Sequence, residues 1–219
     1  MAVASWPSFA RHLAAAKPAT GMAAMLSAVA GIDTSRSGAR AILREFFSDE
    51  PVLADELAES VAGLDHVAAI APVGATIADA EASLLDSRFR DELRRFRSRI
   101  LAADLSERLG RSIRVDVVEA WAKERRGSGI GFEWFVADLP DVELRPIVRD
   151  EVGCHVALRV TAASRTEDLH SVAKRASGAR MPTIVTPVRA NADIGVRLFY
   201  VDRTDESGRV RRIELVSKS

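Results

Sequence analysis

Apolar residues recur at helical spacing along the first half of this chain and in strict alternation beyond Ile113, so no fold built from one type of secondary structure accommodates both halves. In the first half, Ala39, Ile42, Leu43, Phe46 and Phe47 form one helical stripe, and Ser48-Asp49-Glu50-Pro51 is a helix start. Asp33 or Thr34 caps the helix that carries the stripe, and Pro7 and Pro18 open two earlier helices. Thr76 with Asp79 makes a capping box, from which one long helix is expected to run to Leu109 and stop at Gly110. Past Ile113 the period becomes two: Ile113, Val115 and Val117 alternate with Arg114 and Asp116. Phe132 to Val136, Val142 to Val148, Cys154 to Val160 and Thr183 to Val188 are further strand candidates. Ser164 and Glu167 open a helix, and Ile194 to Asp202 pairs with Val210 to Val216 as a hairpin. The pattern predicts an α+β protein, with a helical N-terminal region over 1–75 and a long helix plus a mixed β-sheet flanked by helices over 76–219. No internal repeat is evident in the sequence.

Composition narrows the setting. The formal net charge is zero, so the chain lacks the overall basic surplus of proteins that hold nucleic acid through its phosphates. Cys154 is the only cysteine, which excludes an internal disulfide and a cysteine-ligated zinc cluster. Pro7, His12, Lys17 and Pro18 interrupt the start of the chain, unlike a secretion signal. The most apolar stretch, 21–32, is too short to span a bilayer. A cytoplasmic protein without membrane contact is expected.

Few residues suggest chemistry. His12, His66, His155 and His170 have no partners at useful spacing, and ordinary structural roles are expected for them. The stretch from Arg88 to Arg99 is rich in arginine, and Arg90, Arg94 and Arg97, with Arg165 further on, are candidates for contact with DNA or RNA phosphates. Asp86, Asp91 and Glu92 offer those arginines ion-pair partners instead. Glu133, Asp138 and Glu124 lie on or beside one strand candidate, where gathered carboxylates would bind Mg²⁺ or Mn²⁺ and activate water.

Glu133-Trp134 on one strand and Arg159-Val160 on a later one resemble the motif strands of uncharacterised bacterial proteins of restriction-endonuclease-like, PD-(D/E)xK, fold. The resemblance implies metal-binding Glu133 and Asp138. Gly131 replaces the aspartate of that pattern, and Thr161-Ala162-Ala163 replaces its Gln-Ala-Lys, so it implies a nuclease-like domain with lapsed catalysis. DNA or RNA in a bacterial defence or mobile-element setting is then the expected partner. The alternative is a non-catalytic accessory protein that binds a protein partner or a second copy. Under that alternative the helix bearing Met22 and Met25, or the aromatic pair Trp134 and Phe135, is exposed at the interface.

Overall fold

The computed structural model describes residues 9–14, 17–122, 129–162, 164–178, 180–191, 195–205 and 208–218. Four helices lead: α1 (Phe9–Leu13), α2 (Pro18–Ala30), α3 (Arg36–Phe46) and α4 (Pro51–Glu59). Strand β1 (Val61–Ile70), helix α5 (Ile77–Leu85), strand β2 (Asp91–Arg97) and helix α6 (Arg99–Leu109) follow. Then come β3 (Val115–Ala122), β4 (Ile130–Ala137), α7 (Asp141–Arg149), β5 (His155–Val160) and α8 (Thr166–Lys174). Short β6 (Thr183–Val185) and β7 (Arg189–Asn191) precede the long pair β8 (Val196–Thr204) and β9 (Val210–Lys218). The α+β class with mixed strand pairing is as the sequence predicts.

Two compact units divide these elements, each built from separated segments, so no single cut at residue 75 parts them. The first unit takes in Ile32–His66 and His155–Ser219, the second Ser8–Gly31 and Val67–Cys154. In the second unit β2 pairs antiparallel with β3, β3 pairs antiparallel with β4, and β4 lies beside the last residues of β1. In the first unit β6 and β7 pair antiparallel with β8, β8 pairs antiparallel with β9, and β9 runs parallel to β5. The first residues of β1 neighbour β5. In each unit a strand and a helix are followed by antiparallel strands, interrupted in the second unit by α6, and the last strand lies beside the first. That repeat of topology leaves no trace in the sequence.

Three elements depart from the sequence pattern. Val61–Ile70 is a strand, almost wholly buried, and reads as an unbroken apolar run because both its faces are covered. The long helix expected from Thr76 breaks at Asp86. Ser87 Oγ accepts from the Phe89 amide at 3.0 Å, and Ser98 caps a new helix by accepting from Leu101 N at 3.2 Å. Between those two serines the arginine-rich stretch is an exposed strand, with Glu92 at φ 53 marking a bulge against β3. Short hydroxyl side chains that compete for backbone donors end one helix and start another. Val142 to Val148, expected as a strand, lies within α7: Asp141 and Glu143 favour its first turn and Arg149 its last. The capping box at Thr76 forms, and Gly110 ends α6 at φ 66 as expected.

The cores follow from these faces. In the second unit Trp134 is fully buried, packs on Phe132 at 4.8 Å between ring centroids, and donates its indole N–H to Ser83 Oγ at 3.1 Å. Met22 and Met25 of α2 and Phe135 of β4 are buried as well. The proposed interface of Met22, Met25, Trp134 and Phe135 is thus corrected: all four are core residues, and none presents an exposed docking face. In the first unit, Gly38 at the start of α3 lies so close to the loop before it that an added Cβ would sit 1.9 Å from the Asp33 carbonyl oxygen. Alanine in a helix ordinarily stabilises by about 1 kcal/mol over glycine. Here Gly38→Ala is expected to lower the thermal midpoint, at a cost of about 1–3 kcal/mol, because backbone and not a flexible side chain must yield. Thermal unfolding followed by circular dichroism checks the sign.

Candidate metal centre

Burial singles out a small group of polar residues inside the first unit. Asp65 and His66 sit in the apolar run of β1, His155 opens β5, and Glu214 lies in the buried middle of β9. Charged residues are almost never fully enclosed unless partnered, so their neighbours carry information. β5 and β9 run in parallel with Ala157 opposite Glu214, and this brings His155 and Glu214 to adjoining strands. β1 supplies His66 from the other side of β5.

The ring atom Nε2 of His66 lies 3.3 Å from Nε2 of His155, which lies 3.3 Å from Oε2 of Glu214. The third side of the triangle, His66 Nε2 to Glu214 Oε2, is 3.9 Å. The three side chains are 9%, 4% and 5% exposed. Outside the triangle, Asp65 Oδ2 stands 3.2 Å from His66 Nδ1, and Lys218 donates to Asp65 Oδ1 at 2.9 Å. Tyr200, opposite Glu214 on β8, hydrogen-bonds to its carboxylate, and its ring meets the His155 ring edge to face at 5.6 Å.

The electrostatics of the group are those of ionised carboxylates. Burial works to raise the pKa of Glu214, but the His155 hydrogen bond, the two imidazoles and Tyr200 together hold it below its ordinary value. Burial works in the same direction on Asp65, yet its bond to His66 and the charges of His66 and Lys218 hold it at about 2. The folded value of Asp65 is thus depressed, so its contribution to stability is complete above the unfolded value of 3.8 and is lost as pH falls through the folded value. Roughly 2 kcal/mol should disappear between about pH 4 and pH 2. Urea unfolding across that window, with Asp65→Asn flattening the dependence, is the check.

Among the described residues, the group of three or more His, Cys, Asp and Glu side chains placed to hold a metal ion is His66, His155 and Glu214. The acidic site expected from the sequence does not assemble. Glu133 lies mid-strand on β4, opposite Glu119. Asp138 is exposed beyond the end of that strand, five residues on, a reach of about 17 Å at the rise of an extended chain. One cation cannot bridge that distance, and Glu124 lies outside the described residues. Arg90, Arg94 and Arg97 are exposed at β2 in the second unit, while Arg165 belongs to the first unit at the start of α8. Arg94 pairs with its neighbour Glu92 at 3.6 Å, and nearby Arg95 with Glu81 at 2.6 Å. His66 and His155, expected to have ordinary roles, are the residues that converge.

No protein-family model matches the chain, and no curated protein matches it. Among solved structures, a methylmalonyl-CoA epimerase is 14% identical, with a TM-score of 0.43, covering 73% of this chain and 97% of that one. A putative glyoxalase superfamily protein from Ralstonia eutropha JMP134 is 11% identical, with a TM-score of 0.39, covering 96% of this chain and 91% of that one. Likenesses this distant carry no argument about chemistry, which rests here on the geometry above. The restriction-endonuclease-like resemblance is corrected at its own site: Glu133 on β4 and Asp138 beyond its end, the carboxylates it requires, are not brought together. The nuclease reading, its DNA or RNA partner and its defence setting are withdrawn. The described residues contain no helix long and apolar enough to cross a membrane.

Proposed function

We propose that the first unit is the working part of a metal-dependent enzyme, in which His66, His155 and Glu214 hold one divalent transition-metal ion. A remaining coordination position would bind an oxygen atom of a small-molecule substrate. The observation that carries this reading is the triangle of ligand atoms, two sides of 3.3 Å and one of 3.9 Å, with the buried carboxylate of Glu214 at one corner. Zinc bonds of about 2.0–2.2 Å at tetrahedral angles place neighbouring ligand atoms about 3.3 Å apart. Three lone-pair atoms at that spacing repel one another unless a proton or a cation sits among them. A buried anion facing two imidazoles needs the same positive charge.

The donor set also selects the ion. Two imidazole nitrogens favour zinc, iron or nickel over magnesium, which prefers oxygen ligands throughout. Closed structural zinc sites take four protein ligands, whereas three ligands leave a position for water or substrate. A metal held this way polarises a carbonyl oxygen or acidifies a bound water. Stripped protein titrated with Zn²⁺, Co²⁺ and Mg²⁺ tests the proposal. One equivalent of Zn²⁺ or Co²⁺ should bind and raise the thermal midpoint, with a stabilisation of about 3–4 kcal/mol at 100 to 1,000 times Kd, while Mg²⁺ does little. The visible spectrum of the cobalt form should then change on adding oxalate, a small oxygen donor. Absence of Zn²⁺ and Co²⁺ uptake would reject the metal centre, and a cobalt spectrum indifferent to oxalate would reject the open position.

A further inference from the structure

Asp65 and Lys218 play no direct part in the triangle, yet both are arranged around one of its corners. Asp65 is 1% exposed and its two carboxylate oxygens have different tasks. Oδ2 faces His66 Nδ1 at 3.2 Å and Oδ1 accepts from Lys218 Nζ at 2.9 Å. Lys218 comes from the end of β9, the strand that also carries Glu214. Building on the metal reading above, we propose that Asp65, oriented by Lys218, is the positioning residue of the site: it keeps the His66 proton on Nδ1 and so presents the Nε2 lone pair to the metal.

The physical argument is one of hydrogen-bond inventory. A neutral imidazole carries one N–H and one lone pair, and whichever nitrogen faces a fixed acceptor takes the proton. An ionised carboxylate only accepts, so the Nδ1 of His66 must donate to it and Nε2 must be the bare nitrogen. The other tautomer would place two acceptors, Asp65 Oδ2 and Nδ1, face to face in a buried site. It would also aim an N–H into the space where Glu214 and His155 converge. Lys218 fixes the outer oxygen, so the carboxylate keeps the inner one turned toward the ring. Carboxylates that orient a ligating imidazole ordinarily change metal affinity by about 10- to 100-fold when replaced.

The same inventory predicts an inversion. In Asp65→Asn the Lys218 ammonium, a donor only, requires the amide oxygen on its side, which turns the amide NH₂ toward His66. Nδ1 must then accept, and the proton moves to Nε2, where it blocks the lone pair. Removing the lysine as well, in Asp65→Asn/Lys218→Met, frees the amide to turn its oxygen to the ring and restores the Nδ1–H form. The double variant should therefore bind metal better than the Asp65→Asn single variant, an order that a merely structural role would not produce.

Long-range ¹⁵N–¹H correlation spectra of the metal-stripped full chain at pH 8 read the tautomer of His66 directly, and isothermal titration with Zn²⁺ reads the affinity. The expected results are Nδ1–H in the native protein and Nε2–H in Asp65→Asn, with affinity 10- to 100-fold weaker in that variant and partly recovered in the double variant. An Nε2–H tautomer in the native protein, or an Asp65→Asn variant with unchanged tautomer and affinity, overturns the proposal. Should Asp65→Asn fail to fold, Lys218→Met alone, at a partly exposed position, must keep His66 in the Nδ1–H form, because Asp65 still faces the ring, and must bind Zn²⁺ more weakly than the native chain, because the carboxylate has lost its orienting partner; a changed tautomer or an unchanged affinity overturns the proposal. A native Nδ1–H tautomer in a protein that takes up no Zn²⁺ would reject the metal reading by itself, while supporting the orienting role of Asp65.

Discussion

Asp49→Ala is expected to destabilise the first unit by about 3–5 kcal/mol, the cost of stranding a buried guanidinium. Arg203 on β8 is 1% exposed, and every face of its head group is engaged. It donates to the Phe46 carbonyl at 2.7 Å, to Thr183 Oγ1 at 3.0 Å and to Asp49 Oδ2 at 2.9 Å, and it lies 5.0 Å from the centre of the Phe47 ring. Burial works to raise the Asp49 carboxyl, but the Arg203 hydrogen bond and charge hold it below its ordinary value. Alanine at 49 leaves the carbonyl, hydroxyl and ring contacts in place but removes the only anion among these partners. A desolvated cation without its counter-charge costs more than the pair contributed. Replacing both partners tests this. Arg203→Met fills similar volume without charge, so Asp49→Ala/Arg203→Met should be more stable than Asp49→Ala alone. Urea unfolding of the two single variants and the double variant measures the coupling, and additivity would show that the pair is not the source of the loss.

The contrast between Arg203 and the metal-centre residues shows what can be read from the sequence and what cannot. Helix starts at Pro51 and Thr76, the stop at Gly110 and the hairpin of β8 and β9 are legible because each depends on residues close together in the chain. The strand β2 is not legible, because helical and extended spacing both fit its residues and its partner β3 decides the outcome. β1 is hidden in another way: burial on both faces erases the alternation that marks a strand. The centre is hardest of all. His66, His155 and Glu214 are far apart in sequence, so no motif spacing exists, and only the neighbouring of β1, β5 and β9 unites them. One signal was available. Asp65-His66 inside an otherwise apolar run, and Glu214 between Ile213 and Leu215, are charged groups where burial forbids them unless partnered. By that measure Glu133 is the weaker candidate, since it is only partly buried on β4.

Loss of one ligand should separate the centre from every other acidic group of the chain. Glu214→Gln keeps the shape of the side chain and one oxygen, but it removes the negative charge. His155→Ala removes a nitrogen outright. Structural zinc sites bind with roughly 10–16 kcal/mol shared among four ligands, so about 3 kcal/mol per ligand, or more than 100-fold in affinity, is the expected loss. Glu214→Gln should reach that figure while leaving the metal-free thermal midpoint close to native, because the amide oxygen can still accept from His155. His155→Ala opens a cavity beside Tyr200 and should lower the metal-free midpoint too. Glu133→Gln and Asp138→Asn, on and beyond β4, should bind Zn²⁺ as the native chain does. Calorimetric titration of the four variants decides the matter: equal weakening by Glu133→Gln and Glu214→Gln would mean that the ion sits elsewhere, and an unaltered Glu214→Gln would remove the carboxylate from the coordination shell.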